Sequence, residues 1–80
     1  MYLVYILQSN KSKKYYVGHT KDLNVRIERH NKGLVRSTKS SIPWKVVYVE
    51  EYSSRIEAYK RELQIKKYKG GEAFKRLFES

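Results

Sequence analysis

The sequence contains no cysteine, which excludes disulfide bonds, thiolate metal sites and cysteine nucleophiles. This absence is compatible with a reducing compartment. No apolar run approaches the roughly 20 residues that a membrane-spanning helix needs. The residues from Met1 to Gln8 also lack the basic start and the small-residue cleavage site of a signal peptide. We therefore expect a cytoplasmic protein that does not associate with a membrane.

Acidic residues are scarce beside basic ones, since 8 Asp and Glu stand against 18 Lys and Arg, for a net charge of +10. Net charge informs about partners rather than about fold. A small basic domain is attracted to phosphate polyanions because neutralising the phosphates releases condensed counterions. The composition therefore predicts a nucleic-acid partner. An acidic protein partner would also satisfy the charge taken alone.

The chain has 80 residues, which predicts one domain over residues 1–80. A domain of this size buries only about 60% of the surface that its unfolded chain exposes. Its core must therefore be thin and built from a few large side chains. The 8 tyrosines suit this need, because a buried ring can keep its hydroxyl at the surface.

The first third of the chain reads as a hairpin followed by a helix. Continuous β-branched and aromatic residues predict a strand over 2–8, buried on both faces, and a second strand over 14–19. A polar turn over 9–13 joins them. A helix follows at about 22–32, and Gly33 is a plausible stop. Its candidate caps are Thr20 and Asp22, and its stripe consists of Leu23, Ile27 and Asn31.

The rest of the chain supplies one more strand and two helices. Residues 34–43 form a polar loop that looks mobile, with Ile42 held extended by the proline that follows it. A third strand covers 44–52. Ser54 and Glu57 match a capping box for a helix that runs to about Lys69, along the stripe Ile56, Tyr59 and Leu63. After Gly70 and Gly71, a last short helix covers 72–78. The predicted fold class is α+β, with the order β-β-α-β-α-α and a mostly antiparallel three-stranded sheet flanked by helices.

Five residues carry candidate chemistry, and each has an ordinary reading when taken singly. Tyr5 and Tyr16 can simply pack the hairpin. Arg26 and His30 lie four apart and can form a solvated helix face. Glu62 stands four residues before a lysine, a pairing worth only about 0.2–0.5 kcal/mol. What these residues share is their order and spacing along the chain.

That order resembles the GIY-YIG nuclease family, from Tyr2 to about Lys69. Leu3-Val4-Tyr5 stands where the family has its first tripeptide, without its glycine, and Tyr16-Val17-Gly18 stands where it has its second. Residues 20–31 are similar to the family's arginine helix. Residues 58–66 are similar to its metal-binding helix. Within the family, the chain most resembles the small stand-alone bacterial proteins.

The resemblance implies a GIY-YIG endonuclease-like fold and metal-assisted hydrolysis of a phosphodiester bond. The implied roles are one Mg²⁺ or Mn²⁺ on Glu62, activation of water by Tyr16, shaping of water or phosphate by Tyr5, phosphate contact by Arg26, proton transfer or phosphate binding by His30, and a structural glycine at Gly18. The cation prefers oxygen ligands, and Mg²⁺ keeps several waters, so one carboxylate can suffice. A tyrosine is a poor base at its ordinary pKa of about 10, so a nearby cation or the histidine must help.

The favoured hypothesis is a metal-dependent endonuclease of the repair or recombination type that acts on nucleic acid, with DNA favoured over RNA. The alternative is a nucleic-acid-binding module that is non-catalytic or depends on a partner protein for specificity. His19 is interpreted as a structural or rim residue that can equally touch phosphate. The basic residues expected to contact nucleic acid are Arg36, Lys39, Lys45, Lys66, Lys67 and Lys69.

Overall fold

The protein folds around a central strand that the sequence places first. The structure is a computed structural model that describes residues 1–78; residues 79 and 80, which the predicted domain includes, lie outside the described residues. The elements are β1 Tyr2–Ser9, β2 Tyr15–Thr20, α1 Leu23–Asn31, a 3-10 turn Lys39–Ser41, β3 Trp44–Tyr52, α2 Arg55–Lys67 and α3 Glu72–Arg76. The predicted order β-β-α-β-α-α is confirmed, with the last helix two residues shorter than predicted.

The sheet has the strand order β2-β1-β3, and both pairings are antiparallel. Strand β1 lies in the middle because its run from Val4 to Leu7 is apolar on both sides, and these residues are 0% exposed. In the hairpin register Tyr5 lies opposite Gly18. The pairing of β1 with β3 shifts between Ile6 and Leu7, so β3 carries a bulge there. The predicted α+β class and antiparallel sheet are confirmed.

Side chains alternate along each strand, so the two faces of the sheet build two separate cores. On one face, under α1, lie Tyr5, Leu7 and Trp44, with Tyr16 packed against them. The other face, under α2 and α3, is built from Val4, Ile6, Val17, Ala58, Ile65 and Phe74. The alternation therefore assigns Tyr16 and Gly18 to the α1 face, and Val17 and His19 to the α2 face.

Helix α1 lies within the predicted range of about 22–32 and is one residue shorter at each end. Of the two candidate caps, Asp22 accepts the hydrogen bond from the Val25 backbone N–H at 3.2 Å. Gly33 ends the helix in the left-handed conformation, with φ +77°. At its last residue, Asn31 accepts from the Trp44 N–H at 2.7 Å and donates to the Trp44 carbonyl at 3.1 Å. These two bonds fix the end of α1 to the start of β3.

Helix α2 begins at the predicted cap and ends earlier than predicted. Ser54 accepts from the Glu57 N–H at 3.2 Å. The helix ends at Lys67, because Lys69 and Gly70 take positive φ angles of 50° and 75° and turn the chain.

The apolar stripe that predicted α2 faces solvent. Ile56, Tyr59 and Leu63 are 67%, 49% and 40% exposed. The buried side of the helix is formed instead by Ala58, Glu62 and Ile65. The apolar spacing therefore predicts the helix correctly but not its packed side, which includes the carboxylate of Glu62.

A partly buried ionic cluster ties α2 to β3. Arg61 donates to both carboxylate oxygens of Glu50, at 2.8 and 3.0 Å. Tyr52 donates to the same carboxylate at 2.6 Å, and Tyr48 also donates to it. Burial alone would raise the pKa of Glu50, but these hydrogen bonds outweigh it and lower that pKa to about 2.

The connection from α1 to β3, predicted as a mobile polar loop, contains a 3-10 turn and a buried threonine. Thr38 is only 1% exposed. Ile42 is extended as predicted, with φ −65° and ψ 143°. Among residues 1–78, no helix is both long enough and apolar enough to cross a bilayer.

Candidate active site

The hydroxyl of Tyr5 is the centre of a polar group on the α1 face. Its side chain is 0% exposed, because β1 is the middle strand. The hydroxyl accepts a hydrogen bond from Arg26 Nε at 3.3 Å. It also lies 3.2 Å from Nε2 of His30. Helix α1 brings the side chains of Arg26 and His30 together because these residues are four apart and share one side of the helix.

His30 continues this arrangement into the α1–β3 loop. Its Nδ1 lies 2.8 Å from Oγ1 of Thr38, which itself donates to the Val35 carbonyl at 3.3 Å. Because arginine can only donate, the Tyr5 hydroxyl donates its own hydrogen bond to His30 Nε2. The Nδ1–H of His30 then donates a hydrogen bond to Thr38 Oγ1. The chain Arg26, Tyr5, His30, Thr38, Val35 is thus satisfied with one donor at each step.

Burial sets the protonation of this group. It lowers the pKa of His30 to about 4, and the nearby Arg26 charge adds to the effect, so the imidazole is neutral at neutral pH. Burial also raises the pKa of Tyr5 to about 12, although the hydrogen bond from Arg26 opposes it. The pKa of Arg26 rises chiefly through its hydrogen bond with Tyr5. Tyr5 is therefore a neutral donor whose proton points at a neutral acceptor.

Tyr16 covers this group toward solvent. Its ring contacts that of His30 edge-on with centroids 4.8 Å apart, and its centroid is 6.2 Å from that of Tyr5. Tyr16 is partly exposed, whereas Tyr5 and His30 are fully buried. Of the two predicted catalytic tyrosines, Tyr16 is thus the one within reach of a water or a substrate.

Gly18 makes room for the Tyr5 ring. A Cβ at this position would lie 2.7 Å from the Tyr5 hydroxyl oxygen and 2.8 Å from its Cζ. Real Cβ atoms do not approach that closely, so any side chain at Gly18 would displace the ring. The structural role predicted for Gly18 therefore has a steric basis.

Glu62 lies on the α2 face, in contact with a different histidine. It is only 8% exposed. One carboxylate oxygen lies 2.6 Å from His19 Nδ1, and the other accepts from Lys66 Nζ at 2.5 Å. Its charge contributes, as the weakest of five influences, to the raised pKa of Tyr5. The expected pair with Lys66 is present, but the carboxylate is buried rather than on the surface.

The donor set at Glu62 is compatible with the divalent cation that the resemblance implies. Among residues 1–78, no group of three or more His, Asp or Glu side chains is close enough to hold a metal ion. A cation would thus take Glu62 as its carboxylate ligand and complete its shell largely with water, as Mg²⁺ commonly does. Lys66 is half-exposed, at 50%, and can turn into solvent to release one oxygen.

The six basic residues predicted to contact nucleic acid are all exposed, but they occupy different parts of the fold. Arg36 and Lys39 belong to the α1–β3 loop and its turn, and Lys45 lies on β3. Lys66 and Lys69 line a pocket beside β2. The remaining residue, Lys67, is the last of α2.

A comparison with known families identifies the family of the chain. The family described as the GIY-YIG catalytic domain matches residues 1–75. The chain belongs to the GIY-YIG family. Such a domain implies nuclease-type activity on nucleic acid, so the predicted class of partner is supported at this level.

Small bacterial proteins are similar to the chain over most of its length. It is 41% identical over 68 residues to the UPF0213 protein of Staphylococcus aureus strain Mu3, covering 84% of this chain and 82% of the relative. UPF0213 protein SAV0488 of strain Mu50 matches equally. The solution structure of UPF0213 protein BH0048 from Bacillus halodurans is 30% identical with a TM-score of 0.50, covering 84% of this chain and 72% of that one. The resemblance to small bacterial members of the family is confirmed.

The sequence gives Thr38 no role and gives His19 only that of a structural or rim residue, without its partner. His19 is bonded to Glu62 across 43 positions of the chain. Thr38 is bonded to His30 from within the loop that was predicted to be mobile. His19 directly follows Gly18, and strand alternation turns it toward α2, which is the signal that could have paired it with a residue of that helix. No comparable signal marks Thr38.

Proposed function

We propose that this protein is a metal-dependent endonuclease that hydrolyses phosphodiester bonds, with DNA as the favoured substrate and repair or recombination as the setting. The observation that carries the proposal is the convergence of Arg26 and His30 on the Tyr5 hydroxyl, with Tyr16 above them. A surface arginine and a packing histidine would not require this directed set of hydrogen bonds.

Arg26 and Tyr16 are the residues proposed to meet the substrate. Arg26 uses Nε for Tyr5, and the terminal nitrogens of its guanidinium, beside Tyr16, can donate to the scissile phosphate. Tyr16 is partly exposed next to it and can position the attacking water. Because His30 is neutral, the positive charge that binds the phosphate comes from Arg26 and not from the imidazole.

His30 is proposed to act through Tyr5 rather than on the substrate directly, because it is fully buried. A pKa of about 12 prevents Tyr5 from serving as a base by itself at neutral pH. As the Tyr5 oxygen takes up a proton released at the site, its own proton can pass to the vacant Nε2 of the neutral imidazole, 3.2 Å away. Of the two roles expected for His30, proton transfer is the one we propose.

Glu62 is proposed to hold one Mg²⁺ or Mn²⁺. When bound, the ion would polarise a phosphoryl oxygen and stabilise the leaving oxygen. His19 orients the carboxylate through its 2.6 Å contact, as outer residues of metal sites commonly do. A cytoplasmic location and a partner protein that selects the target stay predictions.

The test compares labelled branched DNA, linear DNA and RNA, each with Mg²⁺, Mn²⁺ or EDTA. Glu62→Gln retains the size of the side chain and removes the charge. We expect it to reduce cutting more than about 100-fold, because losing even an outer residue of a metal site typically costs 10- to 100-fold. Glu51→Gln, an exposed carboxylate on β3, is the matched control. Cutting by Glu62→Gln at the control rate would refute the metal role.

A second candidate function rests on the partners of Glu62. Because His19 and Lys66 each engage one carboxylate oxygen, the side chain is satisfied without a metal. A nucleic-acid-binding module that is not catalytic, or that needs a partner protein, is compatible with this arrangement. Binding that weakens steeply with salt, with no metal-dependent cutting, would favour this second function.

A further inference from the structure

A pocket on the α2 side of the sheet is separate from the Tyr5 hydroxyl, although Tyr16 is among its lining residues. It lies between strand β2, the end of α2 and the start of α3, and its volume is about 290 Å³. Its apolar part is formed by Tyr15, Val17, Ile65 and Phe74. This volume is just below the usual range for ligand pockets, about 300–1,000 Å³, so the pocket can take only one small group.

The aromatic wall of the pocket is partly open. The ring of Tyr15 packs edge-on against Phe74, with centroids 5.0 Å apart, and lies 5.6 Å from that of Phe78. Phe74 is buried, so it anchors the contact, while Tyr15 is 43% exposed. A ring that is fixed at one edge and accessible elsewhere is the platform on which nucleic-acid bases stack.

The other wall of the pocket is cationic. Lys66 and Lys69 both line it, and both side chains are exposed. Lysine acts as a point charge for phosphate, and an aromatic ring offers stacking that every base can use. An apolar floor with two ammonium groups at its rim thus matches one nucleotide, with its base inside and its phosphates at the rim.

The pocket is close to the proposed metal ligand. Lys66, one turn of α2 after Glu62, contacts it directly, and Lys69 lies just past the end of the helix at Lys67. One turn of helix spans about 5.4 Å. Since successive nucleotides of a stacked strand are about 3.4 Å apart along the helix axis, the pocket would hold a base about one or two nucleotides from the scissile phosphate.

We propose that this pocket binds one unpaired base of the nucleic acid that the protein cuts, on the ring of Tyr15 and between Lys66 and Lys69. A paired base cannot enter, because its edge and faces are occupied within the duplex. Extruding it requires a few kcal/mol, whereas a base in a single-stranded segment is already free. The protein therefore selects substrates with single-stranded nucleotides beside the cut. The stated distance between the pocket and the cut rests on the proposed nuclease function, because that function places the scissile phosphate at Glu62.

The test measures binding in EDTA, so that cutting does not enter the result. The probes are a short labelled thymidine oligonucleotide and an abasic strand of the same length and charge, compared at low salt by fluorescence anisotropy. Base stacking on an aromatic ring is worth about 1–3 kcal/mol, so the wild type should prefer the thymidine strand by about 5- to 150-fold. Tyr15→Leu should lose most of this preference, and Tyr15→Phe should keep it.

The pair of variants separates stacking from structure, because leucine still packs on Phe74 but has no aromatic face. Thermal melts check that both variants fold, and ring resonances of Tyr15 should shift only with the thymidine strand. Equal binding of both probes by the wild type, or an unchanged preference in Tyr15→Leu, would overturn the proposal. A preference that depends on Tyr15 without metal-dependent cutting would support the pocket and count against the nuclease. Cutting without such a preference would do the reverse.

Discussion

Replacing Gly18 with alanine tests the packing at the centre of the candidate site. Gly18 has no positive φ, so its backbone conformation is open to alanine. By that criterion alone, alanine should stabilise the protein by about 0.4–1 kcal/mol, because it restricts the unfolded chain. The close approach predicts the opposite sign, since the added Cβ would lie 2.7 Å from the hydroxyl oxygen of Tyr5. The sign of the change in stability therefore shows whether unfolded-state entropy or the steric clash dominates.

The magnitude follows from what the Tyr5 ring must do. The ring is 0% exposed, and its hydroxyl is held by His30 and Arg26, so it cannot move into solvent as a flexible side chain would. Overpacking of a core typically destabilises by about 1–3 kcal/mol, and weakening one hydrogen bond adds about 1 kcal/mol. We expect Gly18→Ala to lower the free energy of unfolding by roughly 2–4 kcal/mol.

The assay is urea denaturation followed by tryptophan fluorescence, with a thermal melt alongside. At about 4–8 °C per kcal/mol for a domain of this size, the Tm should fall by at least about 8 °C. A double-mutant cycle with Tyr5→Leu assigns the cause, because the shorter side chain removes the ring that the Cβ would meet. Gly18→Ala should then cost less than about 1 kcal/mol. Unchanged or increased stability of the single variant would refute the reasoning.

Two further predictions concern stability and pH. The folded-state pKa of His30, about 4, lies below its ordinary value, so His30 contributes stability that is present above pH 6.5 and is lost as the pH falls toward 4. The difference between the two pKa values corresponds to about 3 kcal/mol of stability. Urea denaturation at several pH values should show the free energy of unfolding falling across this range, and His30→Gln should flatten that slope. The same slope in His30→Gln would contradict the prediction. The lowered pKa of Glu50 acts in a more acidic window, with stability present above pH 4.5 and lost as the pH falls toward 2. After allowance for screening, this is about 1–2 kcal/mol, which Glu50→Gln should remove while Glu51→Gln should retain it.

The elements of this fold are predictable from sequence because their signals are local. A continuous apolar run identifies β1 as the central strand. Ser54 marks the start of α2 through its side-chain hydrogen bond, and Gly33 marks the end of α1 through its backbone angle. The packed side of α2 was not predictable in the same way. Apolar spacing favours the side of Ile56 and Tyr59, but both are exposed.

The buried side of α2 carries Glu62, whose burial depends on partners that spacing does not reveal. His19 comes from β2 and Lys66 from the next turn, and together they satisfy both carboxylate oxygens. Transferring a carboxylate from water without such partners would be unfavourable, so a pattern of hydrophobicity places it outside. The same limit applies to Thr38, since its bond to His30 depends on how a loop closes.

The two halves of the candidate site meet at β2, which is an edge strand of six residues. Its alternation points Tyr16 and Gly18 at the α1 group, and His19 at Glu62. A slip of one residue would exchange these faces, so the site exists only in one register. The Tyr5 ring opposite Gly18 favours that register, because any neighbouring residue moved under the ring would bring a Cβ into it. The glycine thus supports both halves of the site at once, and Gly18→Ala should impair the Glu62 side as well as the Tyr5 side.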